Sequence, residues 1–172
     1  MKRFFMYILL ILLAFMLQNN FFAAIKWIDT TPNLVLIITF VFGLLQGKLH
    51  GMLIGFFGGL LLDFFFGYHV GFYAFIYMAI GYANGLLAQF FYTEFLHMPI
   101  VLCIVNDLIF SLYVYVCLFL LNGATNFGYY LYSVILPEIV YTTIITLIVF
   151  KPLQKLDAFM EGLEKKSAKK FV

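Results

Sequence analysis

The chain is poor in charge, in proline and in cysteine. Only 10% of its 172 residues are charged, 65% are hydrophobic, and there are four prolines, two cysteines and one tryptophan. A soluble domain carries about 25% charged residues, so this composition excludes a water-soluble globular protein. The mean hydropathy of +1.06 instead predicts an integral membrane protein with room for one bundle of helices and no sizeable soluble domain.

The few cysteines and histidines exclude several kinds of site. Cys103 and Cys117 lie in one apolar run, about 21 Å apart along a helix, so they cannot form a disulfide with each other and are interpreted as small packing residues. His50, His69 and His97 fall in separate loops on different sides, which argues against a shared metal site. The sequence also has no phosphate-binding glycine loop and no nucleophile elbow. We therefore predict a protein that is not an enzyme and holds no cofactor.

The apolar runs predict an all-α fold of six transmembrane helices in one bundle. We expect the bundle to occupy residues 1–150 and a cytoplasmic amphipathic basic tail to occupy residues 151–172. The predicted spans are Phe4–Ala24, Asn33–Gly47, Gly51–Phe66, Gly71–Phe91, Pro99–Leu121 and Tyr129–Phe150. The second and third are shorter than the usual length of about 20 residues, which favours a tight hairpin buried among longer helices.

Local signals set the predicted ends of these spans. Thr31 is placed as the N-cap of the second helix, with Pro32 at its first helical position. A short polar hairpin is expected over Gln46–His50, and Pro137 is expected to interrupt the sixth span.

The distribution of basic residues predicts the orientation. With six spans and a cytoplasmic N-terminus, nine basic residues lie on the cytoplasmic side and only Lys26 lies outside. The nine are Lys2, Arg3, Lys48, Lys151, Lys155, Lys165, Lys166, Lys169 and Lys170. This bias favours a multi-pass protein of the cytoplasmic membrane with both termini in the cytoplasm.

The tail has one apolar face. Its apolar residues recur at steps of three and four, as Leu153, Leu156, Phe159, Met160 and Leu163. The pattern is typical of a helix that lies on the inner leaflet, and a docking helix for a cytoplasmic partner is the alternative.

Glycines are concentrated between Gly43 and Gly85, and many recur at steps of four. Since four residues make about one helical turn, they line one stripe of a helix and let another backbone approach closely. The positions that we predict to pack or to bind a partner are Gly43, Gly47, Gly51, Gly55, Gly59, Asp63, Gly71, Gly81 and Gly85. The stripe is expected either within this chain or at an interface between subunits.

Acidic and amide side chains inside the spans need partners, because a charge in hydrocarbon costs roughly 2.5–3.5 kcal/mol on insertion scales. Asp63 is expected to accept hydrogen bonds from backbone donors or loop hydroxyls near the outer end of its helix, or else to contact a partner or ligand. Asn84, Asn106, Asp107 and Glu138 are predicted to form an intramembrane polar network. A proton relay, a substrate site and a contact to another membrane protein are the alternatives for the two acids.

The pattern resembles a known family over residues 32–77. Pro32-Asn33-Leu34, four glycines at helical spacing, Leu60-Leu61-Leu62-Asp63 and Gly71-Phe72-Tyr73 are similar to the rod shape-determining protein MreD family. Phe64-Phe65-Phe66 departs from the small or polar residue that members often have after the acid. The resemblance implies a non-enzymatic scaffold of the machinery that elongates the bacterial cell wall.

The same resemblance implies the partners. These are membrane lipid and MreC, and directly or indirectly a RodA-type glycan polymerase, a class B penicillin-binding protein and MreB. It also implies a fold similar to the substrate-binding subunits of energy-coupling-factor transporters, so a vitamin-type solute-binding subunit is the alternative function. Such subunits carry an Ala-x-x-x-Ala pair in their first helix, whereas here the pair Ala79 and Ala83 falls in the fourth.

Overall fold

The computed structural model describes residues 2–22, 30–66, 69–90, 97–120 and 126–168. Within these ranges the side chains of residues 2, 4, 21, 22, 164 and 166–168 are not described. Several predicted features therefore lie outside the described residues: Ala24, Lys26, Phe91, Leu121, Lys169, Lys170 and the loop segments 67–68, 93–96 and 122–125.

The described residues form six helices and no strand, as the all-α prediction requires. Helix α1 is Lys2–Met16 with a π-helical end at Leu17–Phe22, α2 is Leu34–Gln46, α3 is Lys48–Phe66 and α4 is Phe72–Leu87. Helix α5 is His97–Val114 with a π-helical end at Tyr115–Leu120, and α6 runs from Phe127–Tyr130 through π-helical Leu131–Ile135 into Leu136–Ala168.

Helix α2 forms the centre of the bundle. All of its residues from Leu34 to Leu44 are buried, which is possible because other helices surround an element that is apolar on every side. Its N-cap is Asn33, whose side chain accepts a hydrogen bond from the amide of Leu36. The predicted Thr31 cap was therefore wrong by two residues, because Pro32 precedes the helix instead of occupying its first turn.

A single residue connects α2 to α3. Gly47 has a φ of +85°, a left-handed conformation that glycine adopts without steric cost. Its amide donates to Gly43 and its carbonyl accepts from Gly51. The hairpin predicted over Gln46–His50 is thus shorter than expected, since Gln46 ends one helix and Lys48 begins the next.

The sixth helix differs from its prediction at two places. Pro137 does not interrupt it, and the distortion lies one turn earlier, in the π-helical segment Leu131–Ile135. A proline lacks an amide donor and its ring crowds the preceding turn, and a wider turn relieves that crowding. The helix also continues past Phe150 and through Pro152 to Ala168.

The length of α6 exceeds the thickness of a membrane. Its 33-residue segment Leu136–Ala168 is about 50 Å long, compared with about 30 Å of hydrocarbon. A straight helix of this length that crossed a bilayer would extend beyond the hydrocarbon. In the C-terminal part of α6, Asp157 accepts from the Gln46 amide at 2.6 Å, and Arg3 donates to the side-chain oxygen of Gln46.

Length and composition identify the chain as a membrane protein. Among the described residues three helices are long and apolar enough to cross a bilayer, namely Lys48–Phe66, His97–Leu120 and Phe127–Leu163. The shorter apolar helices are Phe5–Asn20, Leu34–Gln46 and Phe72–Leu87.

Candidate functional site

The glycine stripe of α3 lies directly against the backbone of α4. A methyl group added at Gly59 would lie 2.5 Å from the carbonyl oxygen of Tyr73, and one at Gly55 would lie 2.6 Å from the carbonyl carbon of Tyr77. Gly51 faces Gly81 one turn further along, again at a distance that leaves no room for a side chain. We call this contact the glycine interface: Gly51, Gly55 and Gly59 of α3 against Gly81 and the adjoining backbone of α4.

Two further glycines bring α2 into the same contact. A methyl group at Gly43 would lie 2.8 Å from the carbonyl oxygen of Gly81, and one at Gly85 would lie 2.6 Å from the carbonyl carbon of Gly47. The backbones of α2, α3 and α4 therefore converge near the Gly47 connection. Gly43, Gly51, Gly55, Gly59, Gly81 and Gly85 thus pack against backbone of the same chain.

Asp63 continues the glycine stripe by one more turn and caps α4. Its carboxylate accepts from the amides of Gly71 at 2.9 Å, Tyr73 at 2.7 Å and Ala74 at 3.0 Å. The N-cap residue of α4 is Gly71, with a φ of +104° and no side chain to offer. Asp63 thus supplies from another helix the acceptor that an N-cap aspartate normally supplies locally. It also places a negative group at the positive end of the α4 dipole.

This cap explains how an acid is retained at membrane depth. Asp63 is 2% exposed and finds three donors on the protein backbone, which offsets the cost of removing it from water. The carboxylate is directed at the start of α4 and away from the outer surface of the bundle. This is the geometry expected of an acid that accepts backbone hydrogen bonds.

The two predicted amides bond to each other across α4 and α5. Asn84 donates to the side-chain oxygen of Asn106 at 2.9 Å, and Asn106 donates back to Asn84 at 3.1 Å. Asn84 also donates to the carbonyl of Ile80. Both side chains are buried, so this reciprocal pair satisfies polar groups that hydrocarbon cannot.

The two predicted acids lie in a different contact, between α5 and α6. Three polar pairs follow one another at steps of four residues on both helices, and we call them the α5–α6 polar pairs. They are Cys103 with Thr146, Asp107 with Thr142, and Ser111 with Glu138. The sequence carries this signal as polar residues spaced by four in each helix, although only the two acids among them were predicted as site residues.

Hydrogen bonding within these pairs is uneven. Cys103 and Thr146 lie 3.2 Å apart, and Ser111 donates to Glu138 at 3.4 Å. Asp107 faces the Thr142 hydroxyl and is 0% exposed, yet neither of its carboxyl oxygens has a hydrogen-bond partner among the described residues. The four predicted polar residues are therefore divided into an amide pair and two acids that lie together in the α5–α6 contact.

Sequence reasoning missed a polar centre around Asn33. Its side-chain oxygen accepts from the Tyr77 hydroxyl at 2.6 Å and also from the amide of Leu36 at the start of α2. The backbone amide of Asn33 donates to the Thr142 hydroxyl oxygen at 3.2 Å. Asn33 joins α2, α4 and α6, because it caps one helix while facing the other two. The asparagine directly after a proline, before an apolar run, was a usable signal for a cap.

A pocket lies beside this centre. It has a volume of about 170 Å³, and all six helices or their caps contribute to its lining. The lining residues are Gln18, Asn19, Asn33, Leu62, Phe66, Tyr73, Tyr77, Phe110 and Glu138. In the part of the chain that is described, no group of three histidine, cysteine or acidic side chains could hold a metal ion.

Comparison with known proteins identifies a family for this chain. The family model for the rod shape-determining protein MreD matches residues 1–157. No curated protein and no solved structure gives a significant match. Because the match covers most of the 172 residues, the chain belongs to the MreD family of rod shape-determining membrane proteins.

Proposed function

We propose that this chain is a scaffold of the bacterial cell-wall elongation machinery, without chemistry of its own. The observation that carries the proposal is the family match over residues 1–157, which assigns a role in rod shape. The glycine interface supports it: Gly51, Gly55, Gly59 and the Asp63 cap are used to hold α3 and α4 together. A bundle of this kind presents fixed apolar surfaces to the transmembrane helices of partners.

We propose MreC as the main partner, in contact with surfaces at lipid depth. A RodA-type glycan polymerase, a class B penicillin-binding protein and MreB would follow directly or through MreC. The exposed apolar side chains on α5 and α6, such as Val101, Val105, Ile144 and Ile148, are available to lipid and to a partner helix alike, because both offer apolar contact.

We propose a multi-pass arrangement in the cytoplasmic membrane with both termini in the cytoplasm. Arg3, Gln46 and Asp157 lie together at one end of the bundle, next to Lys48 and Lys155 in the chain. Basic residues gathered at one end support a cytoplasmic position for that end. The residues after Phe150 would then form the cytoplasmic tail, as a continuation of α6 whose buried Leu153 and Asp157 pack against the bundle.

A fold related to the binding subunits of energy-coupling-factor transporters is part of the same proposal. The six-helix count supports it, and an experimental structure of this chain, superposed on those subunits, would test it directly. The pocket beside Asn33 is the observation that keeps a solute-binding role as the second candidate function.

Affinity purification from the native membrane tests the proposed function. The protein is tagged, extracted in mild detergent, and the proteins that co-purify are identified by mass spectrometry. Recovery of MreC with wall-elongation enzymes is the expected result. Recovery of an ATP-binding transport module with its coupling subunit, and no wall enzymes, would replace the scaffold with the solute-binding subunit.

A matched pair of variants sharpens this experiment. Gly162→Leu lies where an added side chain meets nothing within 4 Å, whereas Gly55→Leu would collide with the backbone of α4. We expect the first variant to retain the co-purifying proteins and the second to lose them. If both variants retain the same partners, the glycine interface is not required for the scaffold.

A further inference from the structure

The pocket beside Asn33 has an acidic residue in its described lining and no basic one. Glu138 is the acid that faces it, and none of the described lining residues is a lysine, arginine or histidine. Asp107, the second buried acid of the α5–α6 polar pairs, lies close enough to interact electrostatically with Glu138. A cation that enters this pocket therefore meets no opposing cation among the described lining residues, and an ionised Glu138 would stabilise it.

Aromatic rings form much of the remaining wall. Tyr73, Tyr77 and Phe110 are contiguous, with centroid distances of 6.2 Å between Tyr73 and Phe110 and 5.2 Å between Tyr77 and Phe110. Phe66 completes the aromatic part of the lining. The faces of such rings attract cations, and the attraction is strongest where water is excluded.

The polar groups of the wall are held in place by the bundle. The Tyr77 hydroxyl donates to Asn33, and Gln18 accepts from the amide of Val35. Ser111 donates to one carboxyl oxygen of Glu138, while the other oxygen accepts no hydrogen bond from the described residues and is not among the fully buried unpaired atoms. One acceptor of the carboxyl group is thus available to a ligand.

We propose that this pocket binds a small organic cation, an ammonium group that contacts Glu138 and the rings of Tyr73, Tyr77 and Phe110. The volume of about 170 Å³ sets the size, because a cavity of about 150 Å³ holds a molecule as large as benzene. The proposal goes beyond the scaffold function and does not depend on it.

Choline and its uncharged isostere 3,3-dimethyl-1-butanol are the probes. The full-length protein is purified in lipid nanodiscs, and binding is measured as a saturable rise in Tm with ligand concentration and by calorimetric titration. Because the two probes share a shape and differ in charge, we expect choline to bind about tenfold more tightly, which corresponds to about 1.4 kcal/mol. Equal binding of the two, or no binding of either to folded protein, would overturn the proposal.

Variants locate the site. Glu138→Gln removes the charge at nearly constant volume, and we expect it to abolish the preference for choline over the isostere. Glu161→Gln changes an exposed acid on the distant part of α6 and is expected to leave the preference unchanged. If Glu138→Gln does not fold, Leu62→Phe, which fills the pocket from α3, replaces it. Undiminished choline binding by a folded pocket variant would place the ligand elsewhere and contradict the proposal.

Discussion

The α3–α4 and α5–α6 contacts solve the same packing problem in opposite ways. Both are antiparallel, and in both the contacting residues recur every four positions. At the glycine interface the side chains are missing, so the backbones touch. At the α5–α6 polar pairs the side chains remain and meet as hydroxyl, thiol and carboxyl groups. The first contact tolerates no added atom, whereas the second can adjust through side-chain rotation.

The acids at the two contacts show the same difference. Asp63 accepts three backbone hydrogen bonds, and these donors are fixed by the start of α4. Asp107 is equally buried but has no hydrogen-bond partner for its oxygens among the described residues. The backbone cap therefore supplies hydrogen-bond donors to both carboxyl oxygens of its acid. The side-chain contact leaves carboxyl oxygens that can still accept hydrogen bonds from other groups.

The largest effect is expected from a side chain placed in the glycine interface. Gly55→Leu should lower the free energy of unfolding by about 3 kcal/mol or more, since overpacking a fixed backbone contact cannot be relieved by rotamer changes. The measurement is the yield of monodisperse protein by size-exclusion chromatography, together with Tm. Gly162→Leu, in open space, is the control. A monodisperse Gly55→Leu protein with unchanged Tm would show that α3 and α4 are not in close contact.

A smaller effect is expected from removing the cap. Asp63→Ala leaves the amides of Gly71, Tyr73 and Ala74 without their acceptor, which should cost about 2–3 kcal/mol, in the range for buried unsatisfied donors and lost N-caps. Asp63→Asn retains one acceptor oxygen, so its Tm should lie between that of the unsubstituted protein and that of Asp63→Ala. Cell shape is scored at matched protein levels. Full stability and normal rods with Asp63→Ala would remove this residue from the structural and functional site.

The smallest effect is expected at the α5–α6 polar pairs. Ser111→Ala removes one long hydrogen bond to Glu138, and polar contacts between membrane helices average about 0.6 kcal/mol. We expect a loss of about 0.5–1 kcal/mol by reversible unfolding in detergent. Gly51→Ala, a change of similar size in the glycine interface, should cost clearly more. The comparison between the two contacts fails if the order of these two losses is reversed.

Some features of the fold and the site could be predicted because they depend on spacing along one helix. Gly51, Gly55 and Gly59 lie at steps of four in one helix and must share a face, and Asp63 one turn after Gly59 must extend it. Asn84 and Asn106 needed partners wherever they lay, since hydrocarbon offers none. Their placement inside the bundle follows from the same principle.

Other features depend on which helices become neighbours. Spacing alone did not indicate that Asp63 faces the start of α4. Nor did it indicate that Asp107 and Glu138 lie opposite Thr142 and Ser111 instead of bonding to the amides. Helix ends were also misjudged. Asn33 acts as the cap in place of Thr31 because its side chain bonds to α4 as well as to its own helix, and that second bond is a tertiary contact.

Composition and periodicity by themselves determined that this chain is an all-α membrane protein with one glycine-lined helix face. These properties follow from local rules: apolar length sets a span, and a period of four sets a face. Only the tertiary structure decided that the glycine face packs against helices of the same chain, that Asp63 caps another helix, and that Glu138 lines a pocket with four aromatic rings. Each of these requires two or more helices to meet at a given register, and register is set by the packing of the whole bundle.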